Sequence, residues 1–555
     1  MVFTTTLLVV LLAAATLRLV AGGARRPSWS SSGLASPALL VAGQLLLLGA
    51  WQVAHIRAEE YNVDESTWIA DALAVLRNPH FFSTLLTHTT ARPLTVLPLL
   101  GLGWLQLPIS FFTVKVVALL LICLALWLAY LALRHLTSAR FAALALLPLT
   151  VFYLVVQFDD FLAYNSELVC NVLVATGLWL YGSLRRGRDR AWQGVLAGLA
   201  LGLIPFAKFQ AIPGALVVAG FCLYEYLRAR RWGAALGLAA AGLLPIAAAV
   251  GYCLLTGQLT VLIRDYFLYY FHYSYQYSAQ PVAARFAPRD VLFYYRKQYT
   301  FAAYWFGLVV LAGAGLWRAH RAGRAAWASS ALLLAALLWA LSIYETIQSG
   351  THFEHYLSLV LLPHTLLVAL LLHPAAARLA AQQPAARLTL VGWGYAAVGG
   401  LLTFFSRTTP FDRGYAPPLP YDAAVVALIK QQCGPRGRVA IWGWADRYYV
   451  LSGVAPATRY ANSVFQLKPN AQQAYYLNQY AQDLQQHPPA LFIDAVADQQ
   501  FTYDSAAVYG HERYPRINQI IAPRYQLIYA HDGLRAYRLK PAAPAGTAPR
   551  AASQP

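Results

Sequence analysis

The sequence contains few charged residues for its length. Of 555 residues, 12% are Asp, Glu, Lys or Arg and 59% are hydrophobic, and the mean hydropathy is +0.47. A soluble chain carries about a quarter charged residues, so this composition excludes a soluble protein. Repeated apolar runs have the length of about twenty residues that a helix needs to cross a bilayer. We therefore expect a polytopic α-helical membrane protein of about 12–13 spans with a small C-terminal soluble α/β domain.

Cysteines and glycosylation acceptors are also scarce. Four of the five cysteines lie in apolar runs and only Cys433 lies outside them, which excludes a disulfide framework and a cysteine metal site. The chain has no Asn-x-Ser/Thr acceptor, which disfavours a lumenal, glycosylated setting. Residues 1–21 are apolar but lack a basic leader and an obvious cleavage site, so we expect an uncleaved span there.

The net charge of +19 could suggest a nucleic-acid partner, but the distribution of arginine argues against one. No nucleic-acid motif is present, and sixteen arginines fall in alternate short loops between the apolar runs, as they do in cytoplasmic loops. These residues are Arg25, Arg26, Arg134, Arg140, Arg185, Arg186, Arg188, Arg190, Arg228, Arg230, Arg231, Arg318, Arg321, Arg324, Arg378 and Arg387. The opposite loops, 57–92 among them, and everything after residue 405 are therefore predicted to be extracytoplasmic.

The apolar runs and a change of composition define four parts of the chain. Residues 1–405 form the transmembrane domain, 406–420 a proline-rich linker, 421–540 an extracytoplasmic α/β domain and 541–555 a disordered Ala/Pro-rich tail. The candidate spans are 3–21, 35–55, 110–133, 141–157, 168–184, 191–206, 212–228, 234–255, 301–317, 326–344, 357–373 and 388–405. Strands are predicted at 438–442, 491–494 and 526–529 in the C-terminal domain.

The unusual polar residues concentrate in the extracytoplasmic loops, at the ends of spans. Ionisable residues near membrane depth usually mark a site, so we expect these loops to form a pocket at the outer membrane surface. The residues concerned are Asp64, Glu65, Asp159, Asp160, Glu167, Lys208, His352, Glu354 and His355. For Asp64, two interpretations stay open on the residues alone. It caps a helix whose apolar face includes Trp68 and Ile69, or it is a catalytic carboxylate.

The order and sidedness of several short motifs resemble the GT-C class of polytopic glycosyltransferases. The branch that they resemble contains the protein O-mannosyltransferases and the aminoarabinose transferase of lipid A. The motifs are Asp64-Glu65 before the amphipathic segment 67–77, Arg92-Pro93 where the chain re-enters the membrane, Glu167 opening a span, His355-Tyr356 followed by Pro363, and Ile441-Trp442-Gly443 ending a strand. The apparent extra span 3–21 departs from the family pattern, because it places the N-terminus outside.

The resemblance implies a reaction and its partners. A sugar would move from a polyprenyl-phosphate carrier to an acceptor hydroxyl on the extracytoplasmic face of a bacterial inner membrane, usually with inversion. The acceptor is a lipid, a polysaccharide or a protein, and no nucleic acid is involved. Asp64 would be the general base, with Glu65 as the second residue of the catalytic pair. Arg92, Lys208 and His355 would bind the donor phosphate; the competing interpretation of the two long cations is snorkelling at the interface.

The remaining candidates have less defined roles. Glu65 could hold a divalent cation or the acceptor, or merely stabilise a helix N-terminus. Glu167, Asp160, His352 and Tyr356 are candidates for acceptor, sugar or metal binding, with Glu65, Glu167 and His352 as the possible metal ligands. For Asp160, the competing explanation is that it lies in a solvated loop. For His352, it is that the side chain packs at the start of a helix. A secondary transporter or flippase is the alternative function, although such proteins often show two related halves and midplane polar groups, which this sequence lacks.

Overall fold

The computed structural model describes residues 36–77, 93–156, 158–269, 281–321, 329–382, 421–434, 437–496 and 505–541. The predicted spans 3–21 and 388–405, the linker 406–420, all but the first residue of the tail, and Arg92 lie outside these ranges. The chain divides into two compact units. The first comprises residues 1–65, 85–101 and 111–416, and the second comprises residues 66–84, 102–110 and 417–555.

The described part of the first unit is helical. Its helices, some of which extend into the second unit, are α1 (Pro37–His55), α2 (Val63–Arg77), α3 (Pro93–Trp104), α4 (Phe111–Leu136), α5 (Ala139–Val155), α6 (Ser166–Arg185), α7 (Ala191–Leu203), α8 (Ile212–Arg228), α9 (Trp232–Leu255), α10 (Pro288–Arg296), α11 (Tyr299–Arg321), α12 (Ser330–Ile347) and α13 (Ser358–Gln382). Short helical turns lie at Asp159–Phe161, Ile204–Phe206, Phe209–Ala211, Leu259–Val261, Val282–Phe286 and Glu354–Leu357, and Leu262–Leu268 is π-helical. Seven helical segments of the described residues are long and apolar enough to cross a membrane. The protein is therefore an integral membrane protein, and the predicted polytopic class is confirmed.

Helix α6 separates the carboxylate-bearing loops from the arginine-bearing loops. Glu167 lies in its first turn and Arg185 in its last. At 1.5 Å per residue these positions are roughly 27 Å apart along the axis, close to the thickness of the hydrocarbon core. At the arginine end, the Arg185 guanidinium lies 3.2 Å from Oε1 of Glu225, near the end of α8. The carboxylate-bearing loops near Glu167 and the arginine-bearing loops near Arg185 therefore lie at opposite ends of α6.

This separation leads to a prediction about topology. Reporter fusions at His80 and Gln472 should report the same side of the membrane, and a fusion at Gly187, between arginines, should report the opposite side, because positively charged short loops stay cytoplasmic. Paired alkaline phosphatase and fluorescent-protein fusions measure this directly. Opposite signals from His80 and Gln472 would contradict the assignment of loop 57–92 and the C-terminal domain to one side.

The described residues of the second unit form a five-stranded mixed sheet and several helices. The strands are β1 (Arg438–Trp442), β2 (Ala455–Pro456), β3 (Leu491–Asp494), β4 (Tyr525–His531) and β5 (Leu534–Leu539), and the helices are α14 (Ala423–Cys433), α15 (Arg447–Ser452), α16 (Val464–Leu467), α17 (Gln473–Gln486), α18 (Ala506–Tyr509) and α19 (Pro515–Arg524). The strand order is β2-β1-β3-β5-β4. Strand β1 pairs in parallel with β2 and β3, and β5 pairs antiparallel with β3 and β4. The three predicted strands are confirmed, whereas β2 and β5 were not predicted.

Helix α2 differs from its predicted form. It begins at Val63, four residues before the predicted start, and residues 66–72, all in the second unit, are buried. Ala70 packs in the same apolar core as Val439 of β1. The sequence predicted one apolar face, but Thr67 and Asp71 on the polar face are buried as well. Buried polar side chains need hydrogen-bond partners, so this face is not a solvated one.

Candidate active site

The residue that caps helix α2 is Asn62, which the sequence analysis did not single out. Its side-chain oxygen accepts a hydrogen bond from the backbone N–H of Asp64 at 2.8 Å, which is the bond that an N-cap residue makes. Its amide nitrogen donates to Oδ1 of Asp160 at 2.7 Å. Asp64 therefore occupies the first turn of the helix rather than the cap, and the capping interpretation of Asp64 is wrong.

Asp64 is more exposed than the other carboxylates that surround His355. Its side chain is 32% exposed, and its Oδ2 lies 3.6 Å from Nε2 of His355. The side chains of Asp160 and Glu167 are only 13% and 1% exposed. The positive end of the α2 dipole stabilises negative charge in the first turn. Asp64 thus combines access from outside with a position where a carboxylate is stabilised.

His355 lies at the centre of the carboxylates. It belongs to the short turn Glu354–Leu357 that leads into α13, and it is buried. Its Nε2 faces Asp64 and also Oε1 of Glu167, which is 3.8 Å away, while its Nδ1 lies 3.4 Å from Oδ2 of Asp160. A histidine with two N–H donors can serve carboxylates on both sides of its ring. The structure therefore brings four predicted site residues together.

Lys208 and Glu167 form a buried ion pair beside His355. Nζ of Lys208 contacts Oε1 of Glu167, and the side chains are 3% and 1% exposed. The same ammonium group lies 4.0 Å from the centre of the Tyr356 ring, within the range of a cation–π interaction. Lys208 is held in place from two directions, so the snorkelling interpretation of this residue does not describe its position. The ring of Tyr356 also packs against the ring of His355, with the ring centres 4.7 Å apart.

Glu65, the residue after Asp64, is fully buried. Its Oε2 lies 3.0 Å from Nζ of Lys115, a buried lysine near the start of α4. The backbone N–H groups of Tyr61 and Tyr164 donate to its two oxygens at 3.2 and 3.3 Å. Burial raises the pKa of Glu65, and the charge of Lys115 opposes that effect. These partners make Glu65 an anchor for the turn that precedes Asp64.

The Lys115–Glu65 pair gives a prediction about stability. Lys115→Met should destabilise the protein by about 3–5 kcal/mol, because it leaves the Glu65 carboxylate buried without its counter-charge. The double variant Lys115→Met, Glu65→Gln should recover most of that loss, since no buried charge remains. Thermal unfolding of the purified variants measures both effects. Equal midpoints for the single variant and the wild type would contradict the assigned role.

Asp159 forms a second ion pair at the edge of this region. The guanidinium of Arg57 contacts Oδ2 of Asp159 and also lies 2.6 Å from Oε1 of Glu59. Burial raises the pKa of Asp159 to about 6, against the opposing effect of Arg57. This pair connects the loop after α1 to the turn before α6, and so it fixes two of the segments that carry site residues.

His352, another predicted site residue, is not part of this cluster. The ring of His352 lies tilted against that of Tyr294, with the ring centres 4.9 Å apart, and burial lowers the pKa of His352. Arg92 lies outside the described residues. Its assignment to the donor phosphate stays a prediction.

The arrangement of the predicted metal ligands does not build a cation site. Glu65 and Glu167 each pair with a lysine. Among the described residues, the group with metal-ligand spacing is Asp494, His511 and Glu512, in the second unit. Nη2 of Arg535 lies 2.7 Å from Oδ2 of Asp494, so the carboxylate already has a counter-charge.

Sequence reasoning missed Lys115, Asn62 and Arg57. A signal existed for Lys115, which is a solitary charge inside an otherwise apolar span. Asn62 and Arg57 carry no comparable signal, because their partners Asp160 and Asp159 are about one hundred residues away in the sequence.

No family model and no curated protein matches the sequence. The structure is similar to that of ArnT from Cupriavidus metallidurans bound to undecaprenyl phosphate, with a TM-score of 0.51, 14% identity and coverage of 90% of this chain and 97% of that chain. The protein has the GT-C fold. AglB from Archaeoglobus fulgidus, in complex with an inhibitory peptide and a dolichol-phosphate, matches with a TM-score of 0.43, 13% identity and coverage of 90% of this chain and 74% of that chain. The similarity to ArnT confirms the GT-C resemblance of the sequence motifs at the level of fold.

Proposed function

We propose that this protein is a membrane glycosyltransferase that moves a sugar from a polyprenyl-phosphate carrier to an acceptor hydroxyl on the extracytoplasmic face. The observation that carries the proposal is the position of Asp64. It is an accessible carboxylate next to a buried cluster that contains both a lysine and a histidine, Lys208 and His355. An accessible base beside buried cations suits a substrate that brings a phosphate from the membrane and a hydroxyl from outside.

In the proposed reaction, Asp64 takes the proton of the acceptor hydroxyl as its oxygen attacks the anomeric carbon of the sugar. The bond between that carbon and the phosphate oxygen breaks, and polyprenyl phosphate leaves with the bonding electrons. Attack opposite the leaving group inverts the anomeric configuration. The atoms and electrons of this step balance without an oxidant, a reductant or a metal. The proton ends on Asp64, and the bonding electron pair ends on the released phosphate.

The donor phosphate needs cations near Asp64. Lys208 and His355 are the proposed ligands, and Arg92 is a third candidate from the sequence. The ArnT structure with this fold was solved with undecaprenyl phosphate bound, which supports a lipid phosphate as the ligand of the GT-C site. Lys208 can approach such a phosphate only by sharing or exchanging its ion pair with Glu167.

The arginine distribution supports the sidedness of the protein, and the GT-C resemblance supports the type of membrane. We place the protein in a bacterial inner membrane, with loop 57–92 and the domain 421–540 on the extracytoplasmic side. Nucleotide sugars are generally not supplied on that side, which favours a donor delivered within the membrane. Lys208 lies between two apolar segments, as expected of a cation that meets a lipid headgroup.

The choice of donor tests this function. Purified protein should transfer sugar from a polyprenyl-phospho-sugar and should not use the matching nucleotide sugar, because the terminal domain has no Gly-rich turn between strand and helix to hold a nucleotide's phosphates. Thin-layer chromatography of a radiolabelled sugar, with no other enzyme present, separates the two outcomes. Turnover with the nucleotide sugar alone would contradict the lipid-donor mechanism.

A further inference from the structure

Helix α2 connects the proposed base to the C-terminal domain. Asp64 lies in its first turn, and Thr67 lies three residues later, on the next turn. Thr67 belongs to the second unit, together with the sheet. Because an α-helix is a rigid element over so few residues, an interaction that fixes Thr67 also restricts Asp64.

The hydroxyl of Thr67 is held by a buried carboxylate. Its Oγ1 donates to Oδ2 of Asp446 at 2.6 Å, and the indole N–H of Trp444 donates to Thr67 Oγ1 at 3.3 Å. Nδ2 of Asn462 donates to the same Asp446 oxygen at 2.8 Å. Thr67, Asp446 and Asn462 are each at most 5% exposed. Buried polar groups need hydrogen-bond partners, so these contacts hold the side chain of Thr67 in place.

The loop that carries Asp446 is itself fixed. It follows β1, where Gly443 has a φ of +118°, a conformation that residues with a side chain rarely adopt. The N–H of Gly443 donates to Oγ of Ser463 at 2.6 Å, next to Asn462. The Trp-Gly turn after β1 therefore presents Asp446 and Trp444 to Thr67 from a rigid strand end.

We propose that the C-terminal domain positions Asp64, and that Thr67, Asp446 and Asn462 are the positioning residues. This proposal rests on the proposed function of Asp64 and gives the C-terminal domain a role in the reaction. Thr67 and Asp446 act through the helix and do not touch the substrate. We call the hydrogen-bonded group of Thr67, Asp446 and Asn462 the clamp. A displacement of a catalytic group by about 1 Å can lower a rate by about 10²-fold, so the loss of this clamp should lower turnover more than it weakens donor binding.

The test compares Thr67→Val, which keeps the shape but removes the hydroxyl, with Thr67→Ser, which keeps the hydroxyl. Thr67→Val should lower kcat by roughly 10- to 100-fold with the KM for the polyprenyl-phospho-sugar changed less than about threefold. Thr67→Ser should retain most of the wild-type kcat. The matched control is Thr458→Val, another buried threonine of the same unit, whose hydroxyl donates to the carbonyl of Tyr460. It should leave kcat unchanged.

Hydrogen–deuterium exchange of the same variants provides a readout that needs no activity. Thr67→Val should speed amide exchange in residues 63–67, whereas Thr67→Ser and Thr458→Val should not. Unchanged exchange and unchanged kcat in Thr67→Val would overturn the clamp. If the wild type transfers no sugar but Thr67→Val loosens the helix, the clamp stands and the proposed glycosyltransferase function fails. A fall in kcat shared by all three variants, with loss of the thermal transition, would show general unfolding and would also overturn a specific role.

Discussion

Asp64→Asn should lower the rate of sugar transfer by about 10²–10⁴-fold, the contribution that a general base makes. The amide has nearly the shape of the carboxylate but cannot take a proton from the acceptor hydroxyl. The helix should be unaffected, because its capping bond comes from Asn62 and not from Asp64. Initial rates with saturating polyprenyl-phospho-sugar and acceptor, compared at equal amounts of folded protein, give this ratio.

Glu59→Gln is the matched control for this variant. Glu59 lies in the same loop, and its side chain is 33% exposed, close to the 32% of Asp64. It should keep a rate within a few-fold of the wild type, because its carboxylate pairs with Arg57 at the edge of the site. Near-normal transfer by Asp64→Asn would remove Asp64 from the reaction, and the base would have to be sought elsewhere.

The second large effect concerns Lys208 and its partner. Lys208→Met should abolish measurable transfer, because it removes a phosphate ligand and also leaves Glu167 buried without its counter-charge. The double variant Lys208→Met, Glu167→Gln has no such uncompensated charge, so its thermal midpoint should return towards that of the wild type. Its KM for the lipid donor should nevertheless stay raised by about 10- to 150-fold, the equivalent of a lost hydrogen bond to a charged group.

This double variant separates two explanations of Lys208. A lysine that serves only to neutralise Glu167 would be dispensable once Glu167 is neutral, and the double variant would then regain both stability and donor affinity. A lysine that binds the donor phosphate cannot be replaced in this way. Recovery of a wild-type KM in the double variant would therefore contradict the phosphate-binding role of Lys208.

The sidedness of the site could be predicted from the sequence, because it depends on local patterns. Apolar runs of membrane length set the spans, and arginine in alternate loops sets their direction. The structure agrees with this sidedness, because Glu167 and Arg185 lie at opposite ends of α6. The strands β1 and β3 were also predictable, since each is a short apolar run with clear boundaries.

The pairing of side chains within the site could not be predicted in the same way. Asn62 and His355 approach within 3.3 Å but are 293 residues apart in the sequence. No periodicity relates such positions, so the sequence indicated only that both lie on one side of the membrane. The burial of Thr67 and Asp71 on the polar face of α2 was missed for the same reason, because the partner of Thr67, Asp446, is 379 residues away.

The central claim is that the protein breaks the bond between a sugar and a polyprenyl phosphate. The most direct measurement follows a doubly labelled polyprenyl-phospho-sugar in vesicles that contain the purified protein and an acceptor. The account predicts that free polyprenyl phosphate appears in a one-to-one ratio with transferred sugar. Movement of the intact lipid-linked sugar across the bilayer, with no polyprenyl phosphate released, would contradict it and would indicate a flippase.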